Sequence, residues 1–214
     1  DQILSTRPAT LPLEIGEPNE HWRTWTIEVG SLENVVLSIA TTPEQVLPPV
    51  VTYRKTLNAL VREDHIRLEA TVEAEAYQAA VDTLVFTLPA AVELYSVTSG
   101  VENPVTWSRT SSGSGRDRVL VQLPDRVQGV LRPLRFEGLV PRRSNQPTVI
   151  PQFELVDGVF LSGKQIVSAA RPLKIASVRS TGCRESSPVS MTTDGESIQF
   201  DQFLPEASLT LDVR

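Results

Sequence analysis

The sequence predicts an all-β protein, an antiparallel β-sandwich of the immunoglobulin or fibronectin type, built as one sandwich-like domain or two. Three observations carry this. Sixteen Pro and eleven Gly punctuate short apolar-alternating runs, a spacing of strands and turns and not of helices. In HIRLEATVEAEAY, residues 65–77, an extended chain puts Ile66, Leu68, Ala70, Val72, Ala74 and Ala76 on one side and Arg67, Glu69, Thr71, Glu73 and Glu75 on the other. A helix would align Ala70, Ala74, Tyr77, Val81 and Leu84, but it leaves Leu68, Val72 and Ala76 as a second apolar stripe with β-branched Thr71 and Val72 in its middle. The strand is the better fit. Third, residues 63–141 hold six or seven such runs, enough for a sandwich domain of the usual size.

Taken in order, residues 1–62 read as an N-terminal β segment that packs with the next domain or precedes it. In HWRTWTIEVG, Trp22, Thr24, Thr26 and Glu28 oppose Arg23, Trp25, Ile27 and Val29, and NVVLSIATT reads as a buried strand. Pro48 and Pro49 stop a central strand from running through EQVLPPV, because proline has no ladder donor. VTYRKTLNALV then meets HIRLEATVEAEAY across Arg62, Glu63 and Asp64 as a long hairpin. Within 63–141, TLVFTLP points Leu84, Phe86 and Leu88 to one face, VELYSVTSG turns Val92, Leu94 and Val97 inward, and RVLVQLP presents Val119, Val121 and Leu123. PVTWSR presents Val105 and Trp107, the latter as the expected central core aromatic, and VLRPLRFEGLVP closes the set. TSSGSGRD is a hairpin tip, since Gly and Ser supply turn geometry without packing. After a polar junction at RRSNQPT, residues 142–214 read as a C-terminal β domain or extension, in which Asp157-Gly158 has the signature of a type I′ hairpin turn.

The succession LEATVEAEAY, TLVFTLPAAVELYSV and RVLVQLPDRVQGVLRPLRFEGLVP resembles β-sandwich modules of very large secreted or envelope-associated bacterial proteins of undefined role. The resemblance covers about residues 63–141. It implies an extracytoplasmic home, periplasmic, envelope or secreted, and neighbouring modules of the same chain or another protein as partners; it carries no catalytic residues.

Bulk properties narrow the function classes. Hydrophobic content of 40% and charged content of 21% are those of a folded domain. A net charge of -6 argues against nucleic acid as a partner. No apolar run approaches the roughly 20 residues of a membrane-spanning helix. The opening DQILSTRP has no initiator Met, which leads to the expectation of a piece of a larger protein. One cysteine excludes an internal disulfide.

Few residues suggest chemistry. The two histidines, His21 and His65, and the one cysteine, Cys183, are too few soft ligands for a zinc tetrahedron, so no metal or other cofactor is expected. Cys183, between Gly182 and Arg184, becomes a nucleophile only if His21 or His65 reaches it. SSGSGRD lacks the strand-to-helix context of a phosphate loop. Seven Arg against three acids between Arg116 and Arg143 fit the wet face of an antiparallel sheet better than an acidic-polymer site. Trp22 and Trp25 are three apart and face opposite sides of a strand, so one of them is free for an interface; with Tyr95 they form the candidate binding surface. The reading is therefore a non-catalytic structural or protein-interaction module. The alternative is a carbohydrate-binding or enzyme-ancillary domain with an exposed aromatic in a groove, and the third is a Cys-dependent enzyme.

Overall fold

A computed structural model describes residues 48–100, 103–113, 115–143, 146–192 and 195–214, and before them the backbone of four strands. The chain divides into two compact units, Asp1–Leu47 and Pro48–Arg214. The first holds β1 (Gln2–Arg7), β2 (Leu13–Glu14), β3 (Trp25–Thr26) and β4 (Val36–Thr41). Antiparallel pairing joins β1 to β4 and β2 to β3. The boundary expected at residue 62 thus lies earlier, where Pro48 and Pro49 interrupt any ladder, because residues 50–61 belong to the second unit.

The second unit is all β. Its strands are β5 (Val50–Val61), β6 (His65–Pro89), β7 (Glu93–Ser99), β8 (Asn103–Pro104), β9 (Thr106–Ser111), β10 (Arg116–Val130), β11 (Leu134–Pro141), β12 (Thr148–Ile150), β13 (Glu154–Leu155), β14 (Gly158–Ala170), β15 (Ile175–Thr181), β16 (Cys183–Met191), β17 (Gly195–Gln202) and β18 (Ser208–Val213). Among the described residues they form an eleven-stranded sheet and a three-stranded sheet, the latter in the order β12-β18-β15.

The 25 residues of β6 are the spine. The alternation read from HIRLEATVEAEAY is kept, with Ile66 through Ala76 buried at every second position. The hairpin with β5 pairs Val61 with Ile66 and Val50 with Tyr77. Along the opposite edge run first β11, from Pro141 opposite His65 to Leu134 opposite Val72, and then β10, from Val130 opposite Glu75 to Arg116 opposite Pro89. β13 pairs with β6 near its end on the edge that β5 has left, setting Leu155 opposite Phe86. TLVFTLP, expected as a separate strand, is the continuation of β6. Gln78 takes a left-handed φ of 67°, so the chain bulges there without turning back.

One feature of residues 142–214 departs from expectation. Asp157 does adopt positive φ (59°), but its flanking strands do not form a hairpin: β13 pairs with β6, whereas β14 pairs with β17 and, in parallel, with β5. Gly158 is needed because a Cβ there would lie 2.6 Å from Leu155 Cδ2. Of the two readings of residues 142–214, domain or extension, the extension describes them, since they lie with residues 63–141 in one compact unit. β14, β16 and β17 extend the large sheet beyond β5, and both sheets contribute to one core. At its centre, Phe86 meets Phe136 edge-on at 4.7 Å and Phe136 meets Phe153 at 5.8 Å, so an aromatic chain crosses the expected boundary at residue 141. Trp107 is not this central aromatic. It sits on β9, which pairs only with β10 among the described residues, and packs half-buried against the core margin.

Phe136→Ala is expected to cost about 3–5 kcal/mol, the range for emptying a buried aromatic site, and Phe136→Leu well under half of that. Denaturant unfolding of the whole chain reads both; a loss for Phe136→Ala under about 1 kcal/mol, typical of a surface change, would contradict the shared core.

Candidate functional site

Two groupings of side chains carry chemistry, one inside the fold and one on its surface. The inner one begins at Lys55. β5 buries Val51, Tyr53, Leu57, Ala59 and Val61, and the inward position between Tyr53 and Leu57 is occupied by this lysine, which is 4% exposed. Its Nζ donates to the Phe153 carbonyl at 2.9 Å and to Gln152 Oε1 at 3.3 Å, and lies 5.8 Å from the Phe160 ring centre. Gln152 and Gln165 exchange hydrogen bonds, both 3.1 Å. Gln165 Nε2 also reaches Gln202 Oε1 at 2.9 Å and Cys183 Sγ at 3.6 Å, and Gln202 Nε2 donates to the carbonyls of Leu204 and Pro205. The network thus joins β5, β14, β16, β17 and the segment before β13.

Burial lowers the Lys55 pKa to about 8, against a weaker opposing pull from the Glu154 carboxylate. Burial also pushes the Cys183 thiol upward, an effect only partly offset by Lys55. A protonated thiol is the wrong state for a nucleophile at neutral pH. His65 Nδ1 engages Asp64 Oδ1 at 2.7 Å, and among the described residues no histidine hydrogen-bonds to Cys183. His21 lies outside the described residues, as do the side chains of Trp22 and Trp25. No group of three His, Cys, Asp or Glu among the described residues is placed to hold a metal ion.

The surface grouping is a groove of about 410 Å³ across four neighbouring strands. β14 contributes Leu161, β5 Thr52 and Arg54, β6 Glu73, Glu75 and Tyr77, and the end of β10 Val130, with Leu131 and Pro133 beyond. Strand spacing makes it roughly 14 Å wide. A bulge places Leu161, and the strand alternation places Tyr77. Leu161 is the extra residue where Phe160 pairs with Tyr53 and Ser162 with Arg54, and Tyr77 precedes the left-handed Gln78. Leu161 is 49%, Tyr77 43% and Val130 76% exposed. The neighbouring Glu75 carboxylate raises the Tyr77 pKa, an effect that Thr52 partly offsets. The ring lines the groove beside Arg54, Glu73 and Glu75.

Tyr95 is also half exposed and also the extra residue of a bulge, in β7 where Ser96 pairs with Glu137 and Leu94 with Gly138, but it does not line this groove. Sequence reasoning missed Tyr77, Leu161 and Val130. The available signal was Tyr77 itself, a large apolar residue on the polar side of an otherwise strict alternation. Lys55 carries the mirror-image signal.

The Lys55 pKa, usually near 10.5, falls to about 8 on folding, so the folded state prefers the neutral amine. Below pH 8 both states are protonated and the full cost of burying the charge is present. Between about 8 and 10.5 the unfolded chain binds the proton that the folded one has released, so stability rises with pH. The gain is about 3 kcal/mol for a shift of this size. The stability of wild type minus that of Lys55→Met should therefore rise by this amount from pH 7 to pH 10.5 in paired urea titrations. Parallel curves would show that burial does not displace this proton.

No family model matches the chain, and no curated protein does. Among solved structures the chain is similar to yeast LTA4 hydrolase in complex with bestatin, with a TM-score of 0.49 and 10% identity over 77% of this chain and 28% of that one. Native yeast LTA4 hydrolase gives 0.49 and 12% over 76% and 28%, and a native leukotriene A4 hydrolase from Saccharomyces cerevisiae gives 0.48 and 11% over 76% and 29%. The chain spans under a third of the length of these structures.

Proposed function

We propose that the chain is a non-catalytic structural or protein-interaction β-sandwich module of a larger extracytoplasmic bacterial protein. The observation that carries the reading is where the two groupings lie. Lys55, Cys183 and the three glutamines form one network inside the fold, whereas a bulge at Leu161 and the strand alternation at Tyr77 expose these two side chains along a groove with a charged margin. An exposed apolar strip with a polar rim suits docking of another polypeptide. The extracytoplasmic and bacterial parts rest on the resemblance of residues 63–141 to envelope-associated modules. A second reading, carbohydrate binding, has one favouring observation: Tyr77 stands beside Arg54, Glu73 and Glu75 in an open groove, a ring face flanked by hydrogen-bonding groups.

The two readings separate by experiment. Peptides selected from a random display library on the whole chain should carry apolar residues at alternate positions and bind the wild type at least tenfold more tightly than Leu161→Asp. Val149→Asp, at another exposed valine, should bind them unchanged. Glycan binding abolished by Tyr77→Ala and kept by Leu161→Asp would favour the carbohydrate reading. Selected peptides indifferent to Leu161→Asp would remove the groove from the account.

A further inference from the structure

Every open sheet edge is a template for pairing, and proteins ordinarily blunt such edges with proline, bulges or brevity. Most edges among the described residues are blunted in these ways. β16 carries Pro188 and two register breaks, β8 is two residues long and includes Pro104, β13 has two residues and β12 three. β15 has a register break, and its first N–H is taken by Glu196 Oε2 at 2.7 Å. β9 differs. Its six residues keep unbroken register with β10, from Thr106 opposite Gln122 to Ser111 opposite Asp117, and contain no proline. Thr106, Ser108 and Thr110 are exposed and uncharged. Its one charged residue, Arg109, is held elsewhere: Nε donates to Asp117 Oδ2 at 2.7 Å, and the two Nη groups donate to the carbonyls of Val92 at 2.6 Å and Ala90 at 2.9 Å.

We propose that β9 pairs antiparallel with β9 of a second copy of this chain, about a two-fold axis through Ser108. The sequence of the strand suits pairing with its own copy in this register. Residues directly opposite in an antiparallel pair share a face, so the axis must pass through a residue and not between two. An axis at Arg109 would set two guanidiniums opposite each other, which is unfavourable. An axis at Ser108 sets Thr106 opposite Thr110 and Ser108 opposite itself on the exposed face, and on the other face Trp107 opposite Arg109, whose bonds to Asp117, Val92 and Ala90 stay within its own copy. The β10-β9 arm of the large sheet then continues across the dimer. Six residues per strand make a small interface, so the dimer forms at high micromolar and not at nanomolar concentration. This inference concerns an edge distinct from the groove and does not rest on it.

Sedimentation equilibrium on the full chain over a concentration series tests the proposal. Wild type should show a reversible monomer–dimer equilibrium. Ser108→Lys and Ser108→Glu, which change an exposed side chain, should each raise the dissociation constant at least about tenfold by setting like charges opposite, while their equimolar mixture regains dimer. Circular dichroism and the unfolding midpoint establish that both variants fold. Mild oxidation should cross-link Ser108→Cys to itself, and Thr106→Cys only to Thr110→Cys. A wild type that stays monomeric at millimolar concentration, or a dimer indifferent to the charge at residue 108, would overturn the proposal.

Discussion

The architecture of the second unit depends on β6, which β11 and β10 pair along one edge for nearly its whole length, while β5 pairs the other edge over its first half and β13 near its end. A buried strand cannot leave backbone N–H and C=O groups unbonded, and β6 is too long for one partner on each side. β5 and β13 share one edge, β11 and β10 the other. Where the partners change over, near Tyr77 and Gln78, the ladder is irregular and the strand bulges. The groove lies there because the fold has to solve a pairing problem there.

The interior polar network answers a second constraint. β14 lies parallel to β5, a pairing of distant segments that no tight turn fixes. Apolar side chains alone discriminate weakly between neighbouring registers when several alanines and valines follow one another, as in IVSAA. Gln165 on β14 bonds Gln202 on β17 directly and is linked through Gln152 to Lys55 on β5, so a slip of these strands leaves buried polar groups unbonded. Gly195 adds to this, since a Cβ there would lie 2.0 Å from the Ala169 carbonyl oxygen. Burying Lys55 costs stability and in return restricts how the sheet assembles.

Local alternation was legible in the sequence. It placed the inward residues of β6, β7 and β10, and with them the all-β class and the hairpin across Arg62, Glu63 and Asp64. What it did not convey is long-range connection. Asp157-Gly158 has the local chemistry of a hairpin, and Asp157 has the backbone angle, yet tertiary pairing sends the strands on either side to different neighbours. The expected breaks at residues 62 and 141 followed loop composition, whereas the Phe86, Phe136 and Phe153 contacts and the β14-β5 pairing bridge them. The groove residues were hidden for the same reason. Tyr77, Leu161 and Val130 meet only because β14, β5, β6 and β10 are adjacent, and a bulge breaks the period on which a sequence reading relies.

The claim on which the rest stands is that residues 48–214 form one cooperative body built on β6. Native-state amide hydrogen exchange on the whole chain tests it most directly, by giving the opening free energy of each strand. The account predicts that the slowest amides of β5, β6 and β11 and those of β14 and β17 share one opening free energy, equal to that of global unfolding. Exchange of β14 and β17 through a separate, lower-energy opening while β6 and β11 stay protected would contradict it.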